Sequence, residues 1–147
     1  MLGVPGTRGG FNVSDSKKPV TLTRKEVIEM LERSKDLRGL DIRKANLMKL
    51  DFRGCDLRGT NFSYSNLRDA NFSGADMRDS SLWNANLEGA DLTGADLEGA
   101  DMDYSKLRGA NLFRANVRRA SLPTELVPRE DIVRSVREGC AIGRTLS

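Results

Sequence analysis

A large apolar residue recurs at every fifth position between residues 37 and 122. The eighteen residues of this series are Leu37, Ile42, Leu47, Phe52, Leu57, Phe62, Leu67, Phe72, Met77, Leu82, Leu87, Leu92, Leu97, Met102, Leu107, Leu112, Val117 and Leu122. An amphipathic helix repeats its apolar residues about every 3.6 positions and a half-buried strand every second position, so neither explains this period. The period predicts a repeat architecture whose backbone turns by a constant angle in each five-residue unit.

A small residue lies two positions before most of the large apolar residues. These small residues are Ala45, Cys55, Thr60, Ser65, Ala70, Ala75, Ser80, Ala85, Ala90, Ala95, Ala100, Ser105, Ala110, Ala115 and Ala120. Asp or Asn usually comes directly before the large residue, and Gly often comes two positions after it. Because residues two apart point the same way in an extended chain, we expect the small and large side chains to face inward.

These residues form the repeated signature A-(D/N)-L-x-x, as in the stretch from Ala90 to Leu97. Over residues 35–124 the chain therefore resembles the pentapeptide-repeat proteins. The resemblance implies an all-β solenoid, specifically a right-handed quadrilateral β-helix with four pentapeptides in each coil. Eighteen units would then make about 4.5 coils.

A short helix is predicted before the repeats. Thr23 and Glu26 form a capping box that opens a helix running to Lys35, within a capping-helix segment of residues 21–36. The preceding residues 1–20 are rich in Gly, Ser, Lys and Pro and are interpreted as a flexible N-terminal arm.

The β-helix is expected over residues 37–124, followed by a C-terminal capping helix and tail over residues 125–147. Pro128 suits the first turn of this second helix and Gly139 suits its end. Its predicted apolar face consists of Ile132, Val133 and Val136.

The first units depart from the signature, because Lys35, Leu40 and Leu50 occupy slots that other units give to small residues. This departure predicts a first coil that is widened to meet the leading helix. An open coil end exposes apolar side chains and unpaired backbone groups, so we interpret both helices as plugs of the two ends. The alternative use of the second helix is a homodimer through the C-terminal end, which the resemblance implies.

The composition does not favour a catalytic site or a metal site. The chain has no histidine, and its two cysteines, Cys55 and Cys140, have no metal-binding or redox spacing. The glycines follow the repeat and form no phosphate-binding motif. Asp residues twenty apart stack in one column, but each is expected to bond a local backbone amide. We therefore predict no enzyme activity, no cofactor and no metal site.

Charge is banded along the chain, although 24 basic and 21 acidic side chains give a net charge of only +3. Residues 35–68 hold eight basic and four acidic side chains, residues 69–105 hold one and nine, and residues 106–119 hold five and none. Outward residues twenty apart should share one side of the coil. Two such sets are Arg38, Arg58, Arg78, Glu98 and Arg118, and Met48, Arg68, Glu88 and Arg108. Each set places one Glu between two Arg, which predicts a ladder of ion pairs across the coils.

Aromatic residues define the candidate interface. Tyr64, Asn84 and Tyr104 are twenty apart, with Trp83 and Asp103 beside them in the acidic band. Exposed Tyr and Trp with acidic neighbours are typical of a binding hot spot for a basic or mixed protein surface. Two alternatives stay open, namely stacking for stability alone and docking of the N-terminal arm over these rings.

The sequence thus favours a non-catalytic protein-interaction or scaffold module in the cytoplasm, since no apolar run is long enough to span a membrane. One alternative is a DNA mimic that binds DNA gyrase or topoisomerase, a function that the resemblance implies for some relatives. A near-neutral rod whose acidic band lies between basic ends disfavours it. The second alternative is weak binding of nucleic acid or another anion. Nucleic acid is disfavoured as a partner because acidic residues interleave with the basic ones and no combined aromatic and basic surface is evident.

Overall fold

The computed structural model describes residues 21–143, so the arm predicted for residues 1–20 lies outside the described residues. Two α-helices flank the repeats, α1 at Arg24–Arg33 and α2 at Arg129–Glu138. Between them, each five-residue unit contributes one isolated parallel β-bridge and a turn rather than a long strand.

The start of α1 follows the predicted capping box. The Glu26 N–H donates to the Thr23 hydroxyl, and the Thr23 N–H donates to Glu26 Oε2 at 2.7 Å. The helix ends at Arg33 rather than Lys35, because Ser34 returns to an extended conformation. The capping box therefore sets the beginning of this helix, and the extended backbone that leads into the repeats sets its end.

Helix α2 begins after Pro128 and ends at Gly139, whose φ of 73° is the left-handed conformation that favours glycine at this position. The prediction that Val133 belongs to the buried face is wrong, because this side chain is 44% exposed. Ile132 and Ser135 are buried instead. The Ser135 hydroxyl accepts the Leu112 N–H at 2.9 Å, and this bond turns the Ser135 side of α2 towards the last coil.

The coil repeats every twenty residues. Parallel bridges join residues twenty apart, from Asp36 and Asp56 at one end to Asp101 and Ser121 at the other. Within the ladder, the N–H of each large apolar residue donates to a carbonyl of the next coil, as between Leu57 and Asp76 at 2.7 Å. Four pentapeptide units therefore make one four-sided coil.

A tight turn separates each pair of sides. In most units the N–H of the small residue donates to the carbonyl of the preceding large residue, as from Ala70 to Leu67 at 3.1 Å. The residue two positions after the large one has a positive φ in every unit from Gly39 to Arg119. This repeated left-handed residue supplies the constant change of direction that the period of five requires.

The interior is filled as the pattern predicts. The large residues from Leu37 to Leu112 are at most 1% exposed. Phe52 and Phe72 stack with ring centroids 4.9 Å apart, and Phe62 contacts both rings edge-on. Val27 of α1 belongs to the same apolar cluster and is fully buried, so the core continues from the coils into the first helix.

Backbone groups at both ends of the coil bond to the flanking segments. At the N-terminal end, Arg24 Nη1 donates to the carbonyls of Asn46 and Met48, both at 3.0 Å. At the C-terminal end, the Ile142 N–H donates to the Ala110 carbonyl at 2.9 Å, and the Arg114 N–H donates to the Val136 carbonyl at 2.9 Å.

Candidate interaction surface

The five residues predicted as an interface lie together on one side of the coil. Ser81 bridges both Asn61 and Asp101, which fixes the register of this side over three coils. In the turns that follow, the Tyr64 N–H donates to the Trp83 carbonyl at 3.0 Å, and the Asn84 N–H donates to the Asp103 carbonyl at 2.9 Å. We call Tyr64, Trp83, Asn84, Asp103 and Tyr104 the aromatic surface.

The three rings of the aromatic surface form a continuous edge-to-face stack. The Trp83 centroid lies 5.1 Å from that of Tyr64 and 5.6 Å from that of Tyr104, with interplanar angles of 72° and 71°. The two tyrosines are 50% and 48% exposed, whereas Trp83 is half-buried between them. The Lys44 ammonium lies 6.0 Å from the Tyr64 centroid, so the face of this ring already accepts a cation.

Three of these residues occupy the left-handed turn position. The φ angles are 62° for Tyr64, 52° for Asn84 and 58° for Tyr104, where eight other turns of the coil use glycine. A left-handed conformation costs an L-residue roughly 1–2 kcal/mol. The two aromatic rings are therefore held outward by a backbone that would fold more easily with glycine.

The floor beneath the rings is polar and internally bonded. The Ser63 and Ser81 hydroxyls are 2.8 Å apart, and Asn61 Oδ1 accepts the Ser63 N–H at 3.0 Å. One coil further, Asp101 Oδ1 accepts the Asp103 N–H and the Ser121 hydroxyl, both at 3.0 Å. These short local bonds keep the aromatic turns rigid.

The predicted ladder of alternating Arg and Glu is wrong in its acidic partner. Arg38, Arg58 and Arg78 each form a bidentate pair with the Asp two positions earlier, with Nη2 to Oδ2 distances of 2.6–2.7 Å. Each Nε also lies 3.6–3.8 Å from the Asp of the next coil. Within residues 21–143, Glu98 pairs with no arginine and instead accepts the Asn116 amide at 3.4 Å.

The same pairing occurs on other sides of the coil, at Arg43 with Asp41 and at Arg53 with Asp51. The arginine hydrogen bonds lower the pKa of Asp51 to about 2. The Asp carboxylates also accept the backbone N–H two residues on, as Asp51 Oδ1 does from Arg53 at 3.0 Å. A sequence signal for these pairs existed, because the arginine always follows the repeat aspartate by two positions.

The acidic and cysteine side chains of the described residues do not gather into a metal-binding cluster. No cluster of three or more His, Cys, Asp or Glu side chains that could hold a metal ion occurs in residues 21–143. Cys55 is buried, and burial raises the pKa of its thiol. Neither α1 nor α2 is long and apolar enough to cross a bilayer.

Comparison with known proteins identifies the repeats. The family model described as pentapeptide repeats matches residues 45–84, 55–94 and 81–119, with eight copies. Among solved structures, the chain is similar to HetL, a pentapeptide repeat protein involved in heterocyst differentiation regulation from the cyanobacterium Nostoc sp. strain PCC 7120. The identity is 31% and the TM-score 0.59, over 60% of this chain and 40% of HetL. The chain thus spans less than half the length of HetL.

Two further solved structures are more distant in shape. Rfr23 from the cyanobacterium Cyanothece 51142 is 30% identical over 78% of this chain and 63% of its own, with a TM-score of 0.45. QnrB1, a plasmid-mediated fluoroquinolone resistance protein, is 24% identical over 59% of this chain and 45% of its own, with a TM-score of 0.40. At these scores neither similarity carries a conclusion about function. None of the curated proteins compared with this sequence matches it.

The period of five, the twenty-residue ladder and the matches over residues 45–119 agree with one another. The chain belongs to the pentapeptide-repeat family, whose members fold as right-handed quadrilateral β-helices.

Proposed function

We propose that this protein is a non-catalytic interaction or scaffold module that presents rigid sides of the coil to a protein partner. The observation that carries the proposal is the edge-to-face stack of Tyr64, Trp83 and Tyr104, in which both tyrosines are about half exposed. Rigid, exposed aromatic side chains are typical of binding hot spots. Asp103 stands beside the stack and supplies an acidic group for a partner surface that carries basic groups.

Energetics support a role beyond stability. Each aromatic pair with Trp83 contributes roughly 0.5–1.5 kcal/mol, and each left-handed tyrosine costs roughly 1–2 kcal/mol. For each tyrosine these two contributions nearly cancel, so its ring adds little to the stability of the fold beyond the apolar area that it buries. This balance supports the interpretation that Tyr64 and Tyr104 are present for binding.

The experiment compares capture of partners from a lysate of the native host by four tagged proteins. Trp83→Ala and Tyr104→Ala remove the surface, and Thr93→Ala is the matched control, because Thr93 occupies the Trp83 slot on the opposite side of the coil. We expect a partner that is retained by the wild type and by Thr93→Ala but lost by both aromatic variants. Loss of a hot-spot side chain weakens binding at least about 30-fold.

Thermal unfolding of the same variants separates binding from stability. We expect Trp83→Ala to lose the partner and to lower the midpoint by about 4 °C for each kcal/mol lost, because it removes both aromatic pairs while Tyr64 and Tyr104 keep their left-handed φ. A large fall in the midpoint of Trp83→Ala, with every captured protein retained, would establish that the aromatic stack serves stability alone.

We further infer about four and a half coils, with α1 and α2 as caps. The bonds of Arg24 to the first coil and of Ser135 to the last coil support this arrangement. A cytoplasmic location and the DNA-mimic alternative remain predictions from the sequence, and no contact in residues 21–143 favours mimicry.

A homodimer through the C-terminal end is a second candidate, supported by two exposed apolar side chains near α2. Leu126 is 55% exposed and Val133 is 44% exposed. Light scattering of the wild type and of Val133→Asp tests this arrangement. A dimer that becomes monomeric in the variant would support it, and a monomeric wild type would exclude it.

A further inference from the structure

The last coil carries a run of cations that no acidic side chain interrupts. Residues 106–119 contain five basic and no acidic side chains, and all five are exposed. We call Lys106, Arg108, Arg114, Arg118 and Arg119 the basic rim. Within residues 21–143, none of them forms an ion pair within 4.0 Å.

Two members of the basic rim, Arg108 and Arg118, lack the Asp that pairs with most earlier arginines. Where the slot two positions before such an arginine holds Asp, the two side chains pair, as Arg58 pairs with Asp56 at 2.6 Å. Before Arg118 that slot holds Asn116, and before Arg108 it holds Lys106. The Asn116 amide donates to Asp96 Oδ1 at 2.9 Å, so it joins the acidic column of the preceding coil and offers Arg118 no carboxylate.

Two members of the basic rim occupy turn positions where glycine is easier. Arg114 and Arg119 have φ angles of 60° and 57°, whereas three earlier residues in the Arg114 column are glycines. The Arg114 guanidinium lies 5.0 Å from the Phe113 centroid, a cation–π distance that holds its charge outward. Long cationic side chains thus occupy two left-handed turns within residues 106–119, a stretch that has no acidic side chain of its own.

We propose that the basic rim binds the phosphate backbone of a single-stranded nucleic acid. Guanidinium groups match phosphate oxygens in geometry as well as charge. The cations lie on three successive sides of one coil rather than on one flat side, so a rigid acidic protein surface would reach only part of them. A flexible strand with a phosphate in every nucleotide can follow the corners. The basic rim shares no residue with the aromatic surface and does not depend on its proposed role.

The test measures fluorescence anisotropy of a labelled twenty-nucleotide oligothymidylate between about 50 and 200 mM salt. Asn116→Asp is the decisive variant. The new carboxylate should pair with Arg118 in the way that Asp56 pairs with Arg58, and no cation is removed. Asn71→Asp is the matched control. It adds the same charge at the same slot, but Ser73 follows it in place of an arginine.

We expect salt-sensitive binding by the wild type, with a slope of log affinity against log salt of about −0.7 for each phosphate contacted. Asn116→Asp should weaken binding about 3–10-fold at low salt and flatten the slope by about one contact, whereas Asn71→Asp should stay within about twofold. Arg119→Gly should also weaken binding while raising thermal stability, because it relieves a left-handed residue.

Three results would overturn the proposal. One is absence of oligothymidylate binding by the wild type at about 50 mM salt. Another is an equal effect of Asn116→Asp and Asn71→Asp. The third is stronger binding of a labelled polyglutamate peptide of the same charge, which would assign the basic rim to an acidic protein.

Discussion

Two serines in the same interior column of the coil should respond to alanine in opposite directions. Ser65 and Ser105 both precede a large apolar residue by two positions, and both are at most 1% exposed. The Ser65 hydroxyl donates to the Ile42 carbonyl at 2.6 Å and accepts the Ala45 N–H at 3.2 Å. Ser105 is the one described residue with a buried side-chain oxygen that has no hydrogen-bond partner.

The magnitudes follow from these contacts. Ser65→Ala removes a hydroxyl that bridges two backbone groups of the first coil, so it loses at least one net hydrogen bond worth about 1 kcal/mol. If Ala45 and Ile42 stay unpaired, the loss reaches about 3 kcal/mol. Ser105→Ala instead removes a buried polar atom without a partner and should be neutral or stabilising by about 1 kcal/mol. Alanine fits this column, because Ala45 and Ala85 occupy it.

Urea unfolding followed by circular dichroism measures both variants against the wild type. We expect Ser65→Ala to lower the unfolding midpoint without changing the denaturant slope, and its thermal midpoint to fall by about 4 °C for each kcal/mol lost. Equal destabilisation by the two variants would refute the argument that the cross-coil hydroxyl bridge stabilises the first coil. Greater destabilisation by Ser105→Ala would show that its hydroxyl has a partner in solution.

Two further predictions concern the outward positions. Arg53 lowers the pKa of Asp51 to about 2, so the stability that this pair adds is present above the unfolded value near 3.9 and is lost as pH falls through about 2. The carboxyl NMR signal of Asp51 should therefore titrate near pH 2 and move back towards 4 in Arg53→Gln, and a wild-type midpoint near 4 would contradict the pairing. Gly94→Ala should cost roughly 1–2 kcal/mol for its left-handed φ alone, whereas Gly89→Ala should cost more because its methyl group meets Asp69 Oδ1. In an Asp69→Ala background the two glycine variants should unfold at equal urea concentrations, and a persistent gap would exclude Asp69 as the cause.

The interior of this fold could be predicted closely because each slot meets the same requirement in every coil. A large residue such as Leu97 and a small residue such as Ala95 have no alternative environment once the chain winds with this period. The capping box of Thr23 and Glu26 was equally predictable, because all its contacts lie within four consecutive residues. Local chemistry and strict periodicity together determine these parts.

The outer surface was harder to predict because several partners compete for each side chain. Arg58 lies near two carboxylates, Asp56 two residues earlier and Asp76 of the next coil, and it pairs more closely with Asp56 because that carboxylate accepts two hydrogen bonds in a fixed geometry. The prediction for Val133 was wrong for a related reason. Helical periodicity allows several faces of α2 to be buried. The buried face is the one that carries the hydrogen bond between Ser135 and the last coil, which sequence spacing does not reveal.

In a repeat protein, the positions that depart from the repeat indicate where binding surfaces lie. A residue that matches the repeat is already explained by the fold, because the coil needs it there for packing, turning or pairing. A residue that departs from the repeat at a cost in stability needs another explanation. Tyr64 and Tyr104 stand at turns that favour glycine, and so do Arg114 and Arg119. The first pair belongs to the aromatic surface and the second to the basic rim, so both proposed binding surfaces contain the same kind of departure from the repeat.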